Sequence, residues 1–280
     1  MILTKTEESR LLDSMAMKEY GIPEMVLMEN AGSSVVRLTE KYVDWDGAFT
    51  VILCGTGNNG GDGFVAARYA AGRGARVLVL LMGNEAHMSE SSKQYRHVID
   101  KMGIPVIPIS KAEEGAPYIH DADILVDALI GTGLSSEVKG EKALLITLMN
   151  EAQGIIISVD VPSGMLTDTG KAAGVVVDAD YTVALGSVKR GHVLYPGSSY
   201  TGTLLYSPIG IPDEARMDFP VHLTEKEDVF NILPVRNRVS HKGKNGFIGI
   251  FAGSYGMEGA ALLAGQGALY AGGGKVAAVT

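Results

Sequence analysis

Residues Thr50–Phe64 read TVILCGTGNNGGDGF, and the fold turns on this stretch. An apolar run, Val51-Ile52-Leu53-Cys54, stops at the glycines Gly55, Gly57, Gly60 and Gly61. Beyond Asp62 the pattern becomes helical, with Phe64, Val65, Ala67, Arg68 and Ala71. Strand, glycine loop and helix together let backbone N–H groups and a helix N-terminus approach a phosphate. The spacing Gly55-x-Gly57-x-x-Gly60 fits a dinucleotide fingerprint in that context. Two features depart from the ordinary form. Asn58, Asn59 and Asp62 add side-chain oxygens that a plain pyrophosphate loop does not need. The next apolar run, Val77 to Met82, does not end on a carboxylate for a ribose hydroxyl; Glu85 is the nearest and comes late. No Lys-Ser or Lys-Thr follows, so this is not a P-loop.

Outward from this stretch, short apolar runs alternate with amphipathic ones. The pattern predicts strands at 49–54, 76–82, 104–108, 123–127 and 155–159, and helices at 63–73, 89–102 and 141–152. That alternation implies an α/β domain whose mostly parallel sheet is covered on both faces. Runs near 180–185, 192–195 and 203–206 have hairpin-like spacing, with turns at Pro196-Gly197 and Thr201-Gly202, and are expected to extend one edge. On the N-terminal side, Thr4 and Glu7 predict a capping box. Leu11, Leu12, Met15 and Ala16 form the apolar face of that first helix, and Gly21-Ile22-Pro23 ends it. A second helix is expected from Glu24 to Val43, in which Glu29 and Asn30 are either a solvated pair or contacts near a site.

Composition narrows the classes. The 280 residues suffice for one large or two ordinary domains, and 46% hydrophobic content can bury a sizeable core. A net charge of −8 argues against non-specific binding to nucleic acid or anionic membranes. The single cysteine, Cys54, excludes a disulfide framework and fits a small core residue in a reducing compartment. No apolar run approaches the ~18 residues of a membrane span, and MILTKTEESR does not read as a signal peptide. A cytoplasmic protein with no nucleic-acid or membrane partner is expected.

Two further strands end in unusual loops: Ile124–Gly133 through Asp127, and Ile155–Gly164 through Asp160 and Ser163. In a parallel sheet all strand C-termini share one edge, where ligands bind. Asn58, Asn59, Asp62, Asp127, Asp160 and Ser163 should therefore converge, an oxygen set with no His or Cys. It suits a hard cation, sugar hydroxyls or proton transfer. Singly, Asp62 is equally a helix cap, Asp127 and Asp160 read first as turn-forming aspartates at strand ends, and Ser163 can be a turn residue and nothing more. The six histidines have no metal-ligand spacing, and no Gly-x-Ser-x-Gly elbow occurs.

These motifs resemble the NAD(P)H-hydrate epimerase family over roughly residues 1–212. The resemblance rests on Leu27-Met28-Glu29-Asn30-Ala31-Gly32, Cys54 to Gly63, Val126 to Gly133, Asp160-Val161-Pro162-Ser163-Gly164, and Lys189-Arg190-Gly191 with Leu194-Tyr195-Pro196-Gly197. Ile130 stands where the family often has phenylalanine. The resemblance implies a Rossmann-like three-layer α/β fold over residues 1–217 that interconverts the R and S forms of hydrated NADH or NADPH, with bound potassium. By motif position, Asn58, Asn59, Gly60, Gly61 and Asp62 would hold the hydrated dinucleotide, together with Gly131, Thr132, Gly133, Leu134, Ser135, Ser136 and Glu137. Asp160 would contact its reacting end, and Asn59, Asp127 and Ser163 would supply oxygens to potassium. Asp160 is expected to be the main acid/base group and Lys189 a supporting cation; the alternative for Lys189 is an exposed ion-pairing lysine. A homo-oligomer is expected. The alternatives from other classes are a non-catalytic scaffold using the same pocket and an ordinary NAD-dependent oxidoreductase.

Gly210 to Pro220 breaks the pattern into a linker, and a new unit begins near 223. Thr224 and Glu227 predict a helix cap, followed by a basic loop (Arg236 to Gly246), a strand (Phe247 to Ala252) and a helix from Glu258. His241-Lys242-Gly243 and Gly259-Ala260-Ala261 resemble the start of an ADP- or ATP-dependent NAD(P)H-hydrate dehydratase domain of ribokinase-like fold. A complete domain of that kind would need about 200 more residues. Residues 223–280 are thus expected to be a partial domain, in the front part of a bifunctional enzyme that epimerises without dehydrating.

Overall fold

The structure, a computed structural model, describes residues 1–216, 219–233 and 235–279. It divides into two compact units, Met1–Leu223 and Thr224–Thr280. The part of the expected linker at Met217 and Asp218, with the domain edge expected at 217, lies outside the described residues, as do Pro234 and Thr280.

In the first unit, seven strands form one sheet: β1 (Phe49–Cys54), β2 (Arg76–Met82), β3 (Val106–Ile109), β4 (Ile124–Ala128), β5 (Ile155–Val159), β6 (Tyr181–Leu185) and β7 (Thr203–Ser207). Their order is β3-β2-β1-β4-β5-β6-β7, and every pairing is parallel. The helices are α1 (Thr6–Lys18), α2 (Glu24–Thr39), α3 (Asn58–Gly72), α4 (Glu90–Lys101), α5 (Ala112–His120) and α6 (Gly140–Glu151). Each central strand is apolar on both faces because each face meets a helical layer. Ile52 and Cys54 join Met28, Val35, Phe64 and Ile99 from α2, α3 and α4. Val51 and Leu53 join Ile119, Leu145 and Met149 from α5 and α6. Burying one such side chain stabilises the fold by roughly 1.5–3 kcal/mol. The result is a three-layer sandwich of Rossmann type.

Several expectations need correction. The sheet is wholly parallel: β6 and β7 pair side by side, Tyr181↔Thr203 to Leu185↔Ser207, and are not a hairpin. The run at 192–195 is no strand; Arg190–Val193 is a helical turn. The first helix starts at Thr6, and its box uses Lys5 and Glu8, with Lys5 N–H donating to Glu8 Oε2 at 2.6 Å. Helix α2 stops at Thr39, and α5 appears where no element was expected.

Helix α3 begins at Asn58, five residues before the expected 63, although Asn and Gly are poor helix formers. Packing overrides propensity there. A Cβ on Gly60 would lie 1.9 Å from the Gly55 carbonyl oxygen, and a Cβ on Gly55 2.2 Å from that of Leu129. The first turn of α3 thus folds onto the end of β1, which touches the loop after β4. The strand order reverses between β1 and β4, running outward to β3 on one side and to β7 on the other, so this junction is the switch point of the sheet.

The second unit contains α7 (Lys226–Ile232), β8 (Phe247–Phe251), α8 (Glu258–Tyr270) and β9 (Lys275–Val279), with β8 and β9 paired in parallel. Phe247, Phe251, Leu262 and Leu263 are exposed. Among the described residues, no helix is long and apolar enough to cross a membrane.

The junction makes a contrast measurable. Gly60→Ala should lower stability by ~2 kcal/mol or more, because the clash is with backbone. Gly57, with nothing within 4 Å of a Cβ and φ −83°, should accept alanine at a cost below ~1 kcal/mol. Equal urea midpoints for the two variants would refute this packing account.

Candidate active site

The C-terminal ends of the strands open onto a cleft of about 510 Å3 at the switch point. Helix α3 presents its N-terminus there, where first-turn N–H groups lack intrahelical acceptors. Asn58, Asn59, Asp62, Gly131, Thr132, Gly133, Asp160 and Lys189 all line the cleft. Gly60 and Gly61 lie beneath, buried against Gly55 and against Met28 and Ser92. Leu134 packs toward the α5/α6 core, while Ser135, Ser136 and Glu137 are exposed further along the loop, outside the lining.

Asp127 lies one residue before the end of β4 and is fully buried. Its Oδ1 accepts from Ser163 Oγ at 2.5 Å and from Leu129 N–H at 3.3 Å. Its Oδ2 accepts from Ser158 Oγ at 2.9 Å and from Ser163 N–H at 2.8 Å. Burial raises its pKa, and these bonds oppose the rise. Among the described residues no cation pairs with it. Ser163 Oγ also accepts from Ile130 N–H at 2.9 Å and lies 3.2 Å from the Ile130 carbonyl. The adjacent Gly131 is in contact with Asn59, where a Cβ would meet Oδ1 at 3.2 Å; Asn59 Nδ2 is buried without a partner among the described residues. Asp127 and Ser163 are thus joined directly, while Asn59 adjoins them through Gly131, the neighbour of Ile130. Among the described residues, no three His, Cys, Asp or Glu side chains gather into a metal site.

Asp160 follows β5 with φ +65°, a left-handed conformation rare outside glycine. Its Oδ1 accepts from Leu185 N–H at 2.9 Å and pairs with Lys189 Nζ. Its Oδ2 has no protein donor among the described residues. Lys189 is 1% exposed, so it is not a surface lysine; Nζ also donates to the Leu185 carbonyl at 2.7 Å. The backbone of Lys189 is held beside the N-terminal residues, with Leu3↔Val188 and Thr4↔Lys189 in a short parallel ladder. Buried His192 accepts from Lys189 N–H through Nδ1 at 3.2 Å, which places the ring proton on Nε2. Burial, reinforced by Lys189, lowers the His192 pKa to about 4.

Two further acids share this space. Burial, helped by the nearby Asp160 and Asp13, holds the Asp62 carboxyl well above the usual range. Burial likewise lifts Asp13 to about 6, against the pull of Lys189. Asp13, on α1, and Glu24, at the start of α2, line the cleft and escaped the sequence reading. A signal for Asp13 existed, since it lies on the same stripe as the buried Ser9, Leu12 and Ala16. Glu29 pairs with Arg68 and accepts from Tyr69 Oη at 2.7 Å, tying α2 to α3 away from the cleft lining. Asn30 Nδ2 donates to the carbonyl of Ile209, a lining residue, at 2.8 Å. The Cys54 thiol, fully buried and pushed up by that burial, is no nucleophile.

Residues 24–191 match the family model described as YjeF-related protein N-terminus. The bifunctional NAD(P)H-hydrate repair enzyme Nnr of Thermofilum pendens is 38% identical over 98% of this chain and 52% of its own length. The NAD(P)H-hydrate epimerase of Limosilactobacillus fermentum is 38% identical over 71% of this chain and 92% of its own length. The crystal structure of yeast YNL200c superposes with a TM-score of 0.67 at 23% identity, covering 81% of this chain and 98% of that one. The chain spans about half the length of the bifunctional relatives it matches.

Neutral His192 gives a pH signature. Unfolded, the ring takes a proton below its ordinary value of 6.5; folded, it refuses one until about 4. Native stability should fall across that window by up to about 3 kcal/mol, at 1.36 kcal/mol per pH unit. His192→Asn keeps an acceptor for Lys189 N–H without titrating. Its stability relative to wild type should therefore rise between pH 7 and pH 4, and parallel pH dependence in urea unfolding would refute the assignment. Asp13, whose raised pKa acts in the opposite sense, cancels in this difference.

Proposed function

The chain belongs to the YjeF-related N-terminal family, and from that premise we propose that its cleft interconverts the R and S forms of hydrated NADH and NADPH. The observation that carries this reading is Asp160, a carboxylate with one oxygen anchored and the other open to a cleft that also holds two carboxyls, Asp13 and Asp62, whose pKa burial raises. The reacting carbon bears both a hydroxyl and the ring nitrogen, so its configuration is lost by opening the ring or by expelling the hydroxyl. Either route needs one group to take a proton and another to give one. If the ring opens, Asp160 takes the hydroxyl proton while the C–N bond breaks and an acid protonates the nitrogen. Closure on the other face returns both protons. If the hydroxyl leaves, the acid protonates the departing oxygen, and Asp160 takes a proton from the water that returns on the opposite face. Asp62, whose carboxyl burial holds well above the usual range, or the protonated fraction of Asp13 supplies the acid in both routes, and Lys189 holds Asp160 in place through a direct ion pair.

The N-terminus of α3 suits the pyrophosphate, and the Gly131–Gly133 turn bounds the same space. Ser135, Ser136 and Glu137 would close on the dinucleotide only from the exposed stretch of that loop. Asn59, Asp127 and Ser163 would hold potassium: the donors are all oxygens, and Asp127 is a buried carboxylate without a cation among the described residues. When bound, the ion would supply that missing positive charge. Residues 224–280 read as part of a ribokinase-like dehydratase domain, since the match to bifunctional repair enzymes runs past the family model. ADP or ATP would serve only a complete domain of that kind.

The decisive assay mixes R and S hydrates with an S-specific, ATP-dependent dehydratase. Added protein should make the R remainder disappear promptly; a remainder that persists in potassium buffer would refute the reading. Asp160→Asn should cut turnover by about 10²-fold or more with the fold intact, because asparagine tolerates the left-handed backbone; unchanged turnover would remove Asp160 from the mechanism. At fixed ionic strength, potassium in place of choline should raise the thermal midpoint, and Asn59→Ala should shrink that rise.

A further inference from the structure

The strand after the glycine loop ends without the acid that ordinarily holds a ribose hydroxyl. Beyond Met82, Gly83 packs on Thr56, and Asn84 turns its side chain back to Ala86 N–H at 2.9 Å. Glu85 is exposed, 3.8 Å from Arg96, and does not line the cleft. A carboxylate reaches this side of the cleft from a different element. Glu24 opens α2; its Oε1 accepts from Asn58 Nδ2 at 3.0 Å and its Oε2 from Ser91 Oγ at 3.1 Å. Asn58 opens α3, and Ser91 lies in the first turn of α4, the helix that follows β2. Glu24 is half-buried, lines the cleft and pairs with no Lys or Arg among the described residues. Each oxygen is held by one neutral donor and keeps room for another.

The two ends of the cleft are thus chemically different. Asp160 stands at the end of β5, on one side of the switch point between β1 and β4. Glu24 stands on the other side, toward β2, next to the N-terminus that suits pyrophosphate. A dinucleotide laid across the switch point with its reacting ring at Asp160 carries its adenosine ribose to the β2 side. We propose that Glu24 is a specificity-determining residue, which accepts the adenosine ribose hydroxyls and selects the hydrate of NADH over that of NADPH. This rests on the reading of the cleft as a site for hydrated dinucleotide. A 2′-hydroxyl donates to the carboxylate, whereas a 2′-phosphate has no proton to offer and brings like charge against it.

Turnover of both hydrates and binding of two fragments test this together. Wild type should favour the NADH hydrate in kcat/KM by about tenfold or more, and Glu24→Gln should bring the two within about threefold, the NADPH hydrate gaining as the repulsion goes. Calorimetric Kd values for ADP-ribose and 2′-phospho-ADP-ribose, which lack the reacting ring, should shift by the same ratio. An even wild-type ratio, or a ratio unmoved in both Glu24→Gln and Glu24→Ala, overturns the proposal. If neither hydrate turns over while the fragment ratio still moves with Glu24, the epimerase reading fails and the ribose contact stands. If neither fragment binds, both fall.

Discussion

A carboxylate sealed between two strands, with no counter-cation among the described residues, holds the site together. Asp127 lies one residue before the end of β4, and its donors are Leu129 on its own loop, Ser158 on β5 and Ser163 on the turn after β5. Leaving such a group unsatisfied costs several kcal/mol, so the two loops are locked to each other through it. Ser163 extends the lock to Ile130, which sets the path of Gly131 against Asn59. Asp160 stands three residues before Ser163 in the same turn. The position of the open carboxylate is thus inherited from the buried one.

The cleft contains more acid than its buried base can answer. Lys189 neutralises one carboxylate, Asp160, through a direct pair. Asp62 and Asp13 lie close enough to feel that pair but form no ion pair among the described residues, and burial drives them toward the protonated form. Three aspartates of one chemical type therefore split into one that is ion-paired and two whose carboxyls burial holds above their usual range. A dinucleotide-binding cleft built for hydride transfer has no need of that split, because the cofactor carries the chemistry. A pure recognition surface has no need of it either.

Most of the sheet was legible in the sequence because buried parallel strands are unbroken apolar runs. The strands at 49–54, 76–82 and 155–159 fall where the runs do. What escaped was decided by contacts between distant segments. Helix α5, AEEGAPYIH, carries Gly115 and Pro117, which read as breakers; it is held by Glu114 on Ser110 and Lys111 N–H and by Glu141 on Ala112 N–H. The parallel pairing of β6 and β7 hides behind turn residues that mimic a hairpin. At the site, glycine and aspartate motifs announced the strand-end residues. Asp13 and Glu24 arrive on amphipathic helices, where a charged residue beside an apolar stripe looks like a solvated one. The burial of Lys189 depended on its pairing with the N-terminal ladder, which no local pattern encodes.

The places where local rules fail are not scattered. Asp160 adopts a left-handed backbone at a cost of roughly 1–2 kcal/mol. Its N–H to Val183, its carboxylate to Leu185 N–H and its pair with Lys189 over-determine that conformation. Lys189 is buried against a strong preference for solvent. Helix α3 starts through Asn-Asn-Gly-Gly against propensity. All three departures line or underlie one cleft at the C-terminal edge of the sheet. A left-handed aspartate, a buried lysine and a helix begun against propensity coincide at that one edge, as expected where local rules yield to a functional site.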